Sequence, residues 1–187
     1  METVKQIPYG VADFESVIER DLYYVDKTMY LAELEKQPDT LIFIRPRRFG
    51  KSLFISMMRA YYDKSKADRF DSLFGSLWIG SHPTPLRNHY QVLYLDFSRI
   101  LGNIDVLEEK FNSYCCDQLN DFIDTYRDDY PKERVEEFLR SDDHGQKLNL
   151  LLNMSRKYNQ PLYLIIDEYD SFTNIVFSEQ VEETYFK

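Results

Sequence analysis

Apolar runs alternate with amphipathic stretches along this chain, and this alternation predicts strands separated by helices. Three runs have the length and composition of buried parallel strands, at residues 41–44, 91–98 and 162–166. Between them, apolar residues recur every three or four positions, which is typical of helices with one buried face. The pattern predicts an α/β fold in which helices cover both faces of a parallel sheet.

The amphipathic stretches predict a short helix around residues 14–18 and longer helices over 27–36, 53–63, 103–127, 132–140 and 146–158. Asp26 is the expected cap of the helix over 27–36. The Phe- and Leu-rich segment 70–79 is expected in the core rather than as a surface that stacks on bases. Asp96 ends the second apolar run, where it either contributes to a site or caps the next turn.

The first apolar run leads into an eight-residue turn that closes on Gly50, Lys51 and Ser52, and a helix follows. Strand, loop, Gly-Lys-Ser and helix is the order of a P-loop. A triphosphate needs backbone N–H groups at a helix N-terminus, where the helix dipole also favours negative charge. We expect Gly50 to let the backbone approach the phosphates and Lys51 to contact the β- and γ-phosphates. The Ser52 hydroxyl is expected to bind Mg²⁺.

The turn departs from the usual P-loop pattern at its first position, where Arg45 stands instead of glycine. Pro46 removes one N–H donor from the loop. The alternative is an ordinary strand–turn–helix with a solvated basic turn. The candidate nucleotide-binding residues cover the loop and the first helical turn: Arg45, Arg47, Arg48, Phe49, Gly50, Lys51, Ser52 and Leu53.

The third apolar run ends in the acidic pair Asp167 and Glu168. Ligands of open α/β sheets bind at the carboxyl ends of the strands, so this pair is a suitable partner for a P-loop. We expect Asp167 to orient Mg²⁺ through a water molecule and Glu168 to polarise the attacking water. Ser52 and Asp167 are therefore the metal candidates, and Lys51 and Glu168 are the catalytic candidates. The alternative is a buried strand that ends in a solvated acidic turn.

The chain resembles the bacterial AAA-ATPase-like family in three stretches. They are Phe-Ile-Arg-Pro-Arg-Arg-Phe-Gly-Lys-Ser-Leu at 43–53, Tyr-Val-Asp-Lys-Thr at 24–28 and Ile-Ile-Asp-Glu-Tyr-Asp at 165–170. The arginine-rich loop is habitual in that family, so Arg45 does not by itself argue against a working site. The acidic pair implies the ATPases that use a glutamate beside the metal-binding aspartate. Family members typically carry a nuclease-like domain of the PD-(D/E)XK type farther along the chain.

This resemblance implies a three-layer αβα fold of the P-loop NTPase class with a mainly parallel sheet. Residues 1–40 would be a lead-in packed on the ATPase core, and residues 41–187 the core itself. Either Tyr9, Gly10, Tyr24 or Lys27 contacts adenine, or this lead-in is only a helical lid on the sheet edge.

In such ATPases a strand with a polar sensor residue separates the P-loop strand from the acidic-ended one. The 20 residues after Asp167 do not contain such a strand, so we expect the fold to be incomplete at its C-terminus. A longer chain, another segment or a second chain would then supply the strand, the sensor and any arginine finger.

Composition narrows the choice of partner. The chain has 187 residues and a formal net charge of −9, which argues against broad electrostatic binding to nucleic acid. Nucleic acid is expected only through a downstream domain, and homo-oligomer formation stays open. The adjacent Cys115 and Cys116 lack the spacing of metal ligands, so packing is the expected role of one of them. The three histidines are assigned no role.

The N-terminus lacks a secretory signal, and no apolar run approaches the roughly 20 residues that span a bilayer. We therefore expect a cytoplasmic protein without a membrane partner. The leading functional prediction is Mg²⁺-dependent ATP hydrolysis coupled to a downstream effector or nuclease-like domain. The alternative is a nucleotide-gated switch or scaffold with little or no hydrolysis. Glu168 argues against a P-loop kinase, and the absence of an Asn-Lys-x-Asp motif argues against GTP.

Overall fold

The computed structural model describes residues 4–44, 46 and 49–171. The chain folds as two compact units that divide between Tyr90 and Gln91. This division lies elsewhere than the domain boundary after residue 40, which stays a prediction. No helix in the described part of the chain combines the length and the apolar character that crossing a bilayer requires.

The first unit is built from helices around an aromatic core. Its helices are α1 (Phe14–Glu19), α2 (Met29–Leu34), α3 (Lys51–Tyr62), α4 (Phe70–Phe74) and α5 (Trp78–Ser81), with a 3-10 helix at Lys64–Arg69. The rings of Phe14 and Phe74 stack with centroids 4.9 Å apart, and Tyr61 meets Phe74 edge to face at 5.5 Å. Helix α3 contributes the largest buried face to this core: Phe54, Ile55, Met57, Ala60, Tyr61 and Tyr62.

Hydrogen bonds fasten the start of α1 to α3. One carboxylate oxygen of Asp13 accepts from the Ser16 N–H at 2.8 Å, and the other accepts from the Ser56 hydroxyl at 2.9 Å. The Ser56 hydroxyl oxygen in turn accepts from the Phe14 N–H at 2.9 Å. Burial by itself would raise the pKa of Asp13, but the hydrogen bonds from Ser16 and Ser56 and the charge of Arg59 hold that pKa below its usual value.

The second unit packs helices on a small parallel sheet. It consists of β1 (Gln91–Asp96), α6 (Ile104–Thr125), α7 (Lys132–Leu139), α8 (His144–Lys157) and β2 (Leu162–Asp167), with 3-10 helices at Phe97–Arg99 and Arg127–Asp129. Strands β1 and β2 pair in parallel, with Leu93 opposite Leu164 and Asp96 opposite Asp167. The two carboxyl-terminal aspartates therefore lie side by side. The core joins β1 to the three helices: Leu93, Leu119, Phe122, Ile123, Tyr126, Tyr130, Val135, Phe138, Leu151 and Met154.

Most predicted elements are present. The runs at 91–98 and 162–166 form β1 and β2, and the helices over 103–127, 132–140 and 146–158 are α6, α7 and α8, with ends shifted by at most two residues. The 70–79 segment contributes Phe70, Leu73, Phe74 and Ile79 to the core, as expected. An α/β fold with a parallel sheet is confirmed at this level. Cys115 and Cys116 are both buried and free, in agreement with a packing role.

The predicted strand at residues 41–44 is wrong. These residues form no strand, and Ile42 and Ile44 are 76% and 79% exposed. An apolar tetrapeptide becomes a strand only when a neighbouring strand accepts its backbone hydrogen bonds. Within the described residues no segment pairs with it; the Phe43 ring instead stacks on Phe54 with centroids 5.3 Å apart.

The predicted capping role of Asp26 is also wrong. Helix α2 covers only Met29–Leu34, and its N-cap residue is Thr28. One Asp26 oxygen accepts from the N–H and the hydroxyl of Thr28, at 2.8 and 2.7 Å. The other accepts from the Trp78 N–H at 2.7 Å. The carboxylate thus links the segment before α2 to the start of α5, because its second oxygen accepts from a donor that is distant in sequence.

Candidate functional site

The N-terminus of α3 is the centre of the site predicted in the first unit. Gly50 precedes the helix with φ 76° and ψ 25°, in the left-handed region that glycine adopts without strain. Helix α3 begins at the next residue, Lys51, and runs for 12 residues. The first N–H groups of a helix have no partner within it, and the helix dipole adds positive potential there. This helix end is therefore suited to an anionic group.

The described neighbours of Gly50 in the chain are Phe49, Lys51 and Ser52. Lys51 is half-buried, Ser52 is exposed, and both lie in the first turn of α3. Phe49 is 65% exposed, and its N–H donates to the Pro46 carbonyl oxygen at 3.3 Å. The candidates Arg45, Arg47 and Arg48 lie outside the described residues.

A cavity of about 240 Å³ adjoins the start of α3. It is lined by Pro8, Tyr23, Tyr24, Val25, Lys27, Gly50, Leu53 and Phe54. The Tyr24 hydroxyl donates to the Met57 sulfur at 3.2 Å. Burial, with the nearby charge of Asp26, raises the pKa of Tyr24 to about 12, so this hydroxyl stays protonated at neutral pH.

Two of the four residues considered from the sequence for a contact with adenine line this cavity. Tyr24 and Lys27 line it together with Gly50 and Leu53 of the loop, whereas Tyr9 and Gly10 do not, and Tyr9 is 96% exposed. Sequence reasoning missed Pro8, Tyr23 and Val25. The signal that could have found Tyr23 and Val25 is the short extended Tyr-Tyr-Val run at 23–25, which has apolar side chains but no helical period, whereas Pro8 carried no such signal.

The acidic pair ends β2 in the second unit. Asp167 is the last strand residue and is only 5% exposed. Its Oδ1 accepts from the Glu168 N–H at 2.9 Å, and its Oδ2 accepts from the Tyr94 hydroxyl at 3.4 Å. Glu168 has φ 51°, a left-handed conformation that few non-glycine residues adopt and that often marks functional turns.

Asp96, opposite Asp167, has a structural role. Its Oδ1 accepts from the N–H and the hydroxyl of Ser98 at 3.1 and 2.6 Å, and its Oδ2 lies 3.4 Å from the Arg99 Nε. Asp96 is the N-cap of the 3-10 turn that follows β1. Of the two roles considered from sequence, capping is therefore confirmed.

The predicted metal ligands suit Mg²⁺ in their chemistry. The Ser52 hydroxyl and the Asp167 carboxylate offer the hard oxygen donors that Mg²⁺ prefers. Among the described residues, no group of three or more His, Cys, Asp or Glu side chains could hold a metal ion. Mg²⁺ usually takes one or two protein ligands, with water and substrate phosphates completing its shell, so the chemistry of each of these two side chains is compatible with Mg²⁺ that arrives with a nucleotide.

A larger cavity, of about 300 Å³, lies in the second unit between α6 and the α7–α8 turn. The Lys147 side chain lines it and is 1% exposed. Its ammonium donates to Asn120 Oδ1 at 2.8 Å and to the Phe138 carbonyl at 2.9 Å. Burial lowers the pKa of Lys147, and these two acceptors explain how the charge is tolerated. The lysine thus ties three helices together.

Comparison with known proteins identifies the family. A family model described as "Predicted AAA-ATPase" matches residues 8–187. The chain belongs to the AAA-ATPase-like family. This confirms the resemblance carried by the three sequence stretches, and the family's description supports nucleotide binding.

One relative has a sequence match of more limited extent. A protein of Azotobacter chroococcum mcd 1, described as "Uncharacterized protein in vnfD 5'region", is 44% identical over 88 residues. The match covers 42% of this chain and 16% of that relative's length. No solved structure matches the chain.

Proposed function

We propose that this member of the AAA-ATPase-like family binds Mg-ATP at the N-terminus of α3 and hydrolyses it with Asp167 and Glu168. The observation that carries the proposal is the left-handed Gly50 immediately before Lys51, at the start of a 12-residue helix. That geometry opens a helix N-terminus to phosphate and puts a lysine and a serine in its first turn.

The phosphate end of the nucleotide would lie against the loop and the first turn of α3. Lys51 would bind the β- and γ-phosphates, and the Ser52 hydroxyl would face the metal. Arg45, Arg47 and Arg48 would add positive charge to the loop. The chain as a whole carries a charge of −9, so this local concentration favours a small polyanion.

The base would occupy the cavity beside α3. Its volume of about 240 Å³ and its mainly apolar lining are suited to a flat heterocycle. Tyr24 and Lys27, which the family resemblance suggested near adenine, both line it. The same cavity touches Gly50 and Leu53, so a ligand in it would extend naturally towards the N–H groups of the first turn.

The acidic pair would serve hydrolysis. Asp167 would orient the metal's water shell, and Glu168 would accept a hydrogen bond from the attacking water and draw off its proton. Mg²⁺, when bound, would neutralise phosphate charge as it builds up. The left-handed backbone at Glu168 supports this assignment, because such conformations cluster in functional turns.

We further propose the three-layer fold of P-loop NTPases, completed by additional strands. Strand β2 pairs only with β1 among the described residues, and its Leu164 and Ile166 are 50% and 44% exposed. The apolar residues 41–44 are exposed as well. A larger sheet covered by a helical layer would bury both surfaces, and the added strands would bring the sensor residue that an efficient ATPase needs.

The second candidate function is a nucleotide-gated switch that positions a downstream effector and hydrolyses ATP slowly or not at all. The two-stranded sheet in the described part of the chain favours it, since the expected sensor strand is not among those residues. In either case ATP would act on a downstream effector or nuclease-like domain.

Thermal unfolding with Mg-ATP or Mg-GTP tests nucleotide binding. ATP at about 100 times its dissociation constant should stabilise the protein by roughly 2.7 kcal/mol, and GTP should do less. Lys51→Ala should abolish the shift. Lys36→Ala is the matched control, because Lys36 is an exposed lysine that pairs with Glu33. Equal stabilisation of the wild type and Lys51→Ala would exclude the site at α3.

A separate variant tests the base cavity. Val25 is 57% exposed and lines the cavity, so Val25→Glu adds bulk and charge there without disturbing the core. We expect ATP affinity to fall by about tenfold or more, equivalent to roughly 1.4 kcal/mol, while inorganic triphosphate binds as it does to the wild type. An equal fall in the affinities for ATP and triphosphate would argue against binding of the base in this cavity.

Glu168→Gln separates hydrolysis from binding. It should leave ATP affinity unchanged and cut turnover by roughly 10²–10³, as loss of a preorganised catalytic group does in other enzymes. Glu133→Gln makes the same charge change in the first turn of α7 and should leave turnover intact. A wild type that binds ATP without turnover would favour the switch.

A further inference from the structure

Tyr94 occupies a distinctive position on β1. In the parallel register it lies opposite Ile165, two residues before the pair formed by Asp96 and Asp167. Side chains alternate between the two faces of a strand, so Tyr94, Asp96, Ile165 and Asp167 share one face of the sheet. The Tyr94 hydroxyl therefore reaches diagonally across to the end of β2, where it donates to Asp167 Oδ2 at 3.4 Å.

The Asp167 carboxylate needs such a donor. Asp167 is only 5% exposed. Burying a carboxylate costs free energy of folding unless its oxygens accept hydrogen bonds. The Glu168 N–H satisfies Oδ1 at 2.9 Å. These two donors approach different oxygens, so together they restrict rotation of the carboxylate about its last side-chain bond.

We propose that Tyr94 is a positioning residue that orients the Asp167 carboxylate towards the metal shell. This inference rests on the proposed function, because it gives Asp167 its metal-directed role. The hydroxyl holds one oxygen in a set direction, and a carboxylate oxygen that accepts one hydrogen bond can also accept one from a metal-bound water. Groups that orient metal ligands in this way commonly matter nearly as much as the ligands themselves.

Tyr94→Phe tests this directly, because it removes one hydroxyl and keeps the ring. The first measurement is the Mg²⁺ dependence of ATP binding, followed with a fluorescent ATP analogue. We expect the Mg²⁺ concentration for half-maximal binding to rise about tenfold. The second is turnover, in which kcat should fall while the KM for ATP at saturating Mg²⁺ stays unchanged. Tyr163→Phe is the matched control: it removes a hydroxyl from the same sheet face, four residues before Asp167.

A double-mutant cycle with Asp167→Asn separates positioning from packing. If Tyr94 acts through Asp167, Tyr94→Phe should add little to the Mg²⁺ defect of Asp167→Asn. Equal Mg²⁺ dependence in Tyr94→Phe and the wild type would overturn the inference and leave the proposed function standing. Additive defects, or loss of the circular dichroism signal of Tyr94→Phe alone, would overturn it in favour of a structural role. A wild type that binds no ATP would overturn the inference and the proposed function together.

Discussion

Removing the Asp13 carboxylate should loosen the helix that carries the candidate phosphate site. Asp13→Ala deletes the N-cap of α1, which is worth about 1 kcal/mol. It also deletes the hydrogen bond that the Ser56 hydroxyl donates to the charged Asp13 carboxylate. Because Asp13 is exposed, we take the low end of the range for hydrogen bonds to charged groups, roughly 1.5 kcal/mol. We therefore expect a loss of about 2.5 kcal/mol in the free energy of unfolding at pH 7.

Urea unfolding monitored by circular dichroism measures this loss. With a typical slope of about 2 kcal/mol per molar urea, the midpoint should fall by about 1 M. Asp13→Asn is the control, because asparagine caps helices nearly as well as aspartate and should lose much less. In a cycle with Ser56→Ala, the coupling between the two side chains should be about 1 kcal/mol.

The pH dependence gives an independent check. The hydrogen bonds hold the pKa of Asp13 below its usual value of 3.8 in the folded state. A lowered folded-state pKa means that the stabilisation is present above the unfolded-state pKa and is lost as pH falls through the folded-state pKa. The difference in free energy of unfolding between the wild type and Asp13→Ala should thus shrink below pH 3.8. A gap under about 0.5 kcal/mol at pH 7, or strictly additive effects of the two substitutions, would refute the reasoning.

Three further predictions concern single residues. Gly50→Ala should lower the free energy of unfolding in urea by about 1 kcal/mol because of its φ of 76°, although no atom of the described residues lies within 4 Å of the added carbon. A neutral effect would mean that the turn relaxes. Lys147→Met should lower the free energy of unfolding by roughly 1–3 kcal/mol, since it leaves the Phe138 carbonyl and Asn120 without their donor. A more stable variant would show that the cost of burying the lysine charge exceeds the gain from its hydrogen bonds. Burial raises the pKa of Cys115 to about 11, so its thiol should not react with iodoacetamide at pH 8 until urea unfolds the chain. Mass spectrometry of the labelled peptides measures this reaction.

The sequence determined the elements whose cause is local. Helix α3 starts next to Gly50 because the glycine can adopt the left-handed turn and the following residues have a helical apolar period. Strands β1 and β2 follow from apolar runs bounded by turn residues. The three family stretches were also recognisable, since they depend only on residue identity, and the match over residues 8–187 bears them out.

Only the tertiary structure decided where backbone and carboxylate partners lie. Residues 41–44 have the composition of a strand, but a strand also needs a neighbour, and local sequence does not specify one. Asp26 has the local setting of a helix cap, yet one of its oxygens accepts from Trp78, 52 positions away. Ser56 and Tyr94 carried no signal for their roles, because their carboxylate partners are 43 and 73 positions distant. Short-range patterns report propensity and burial, whereas such pairings exist only once the chain has folded and brought distant segments together.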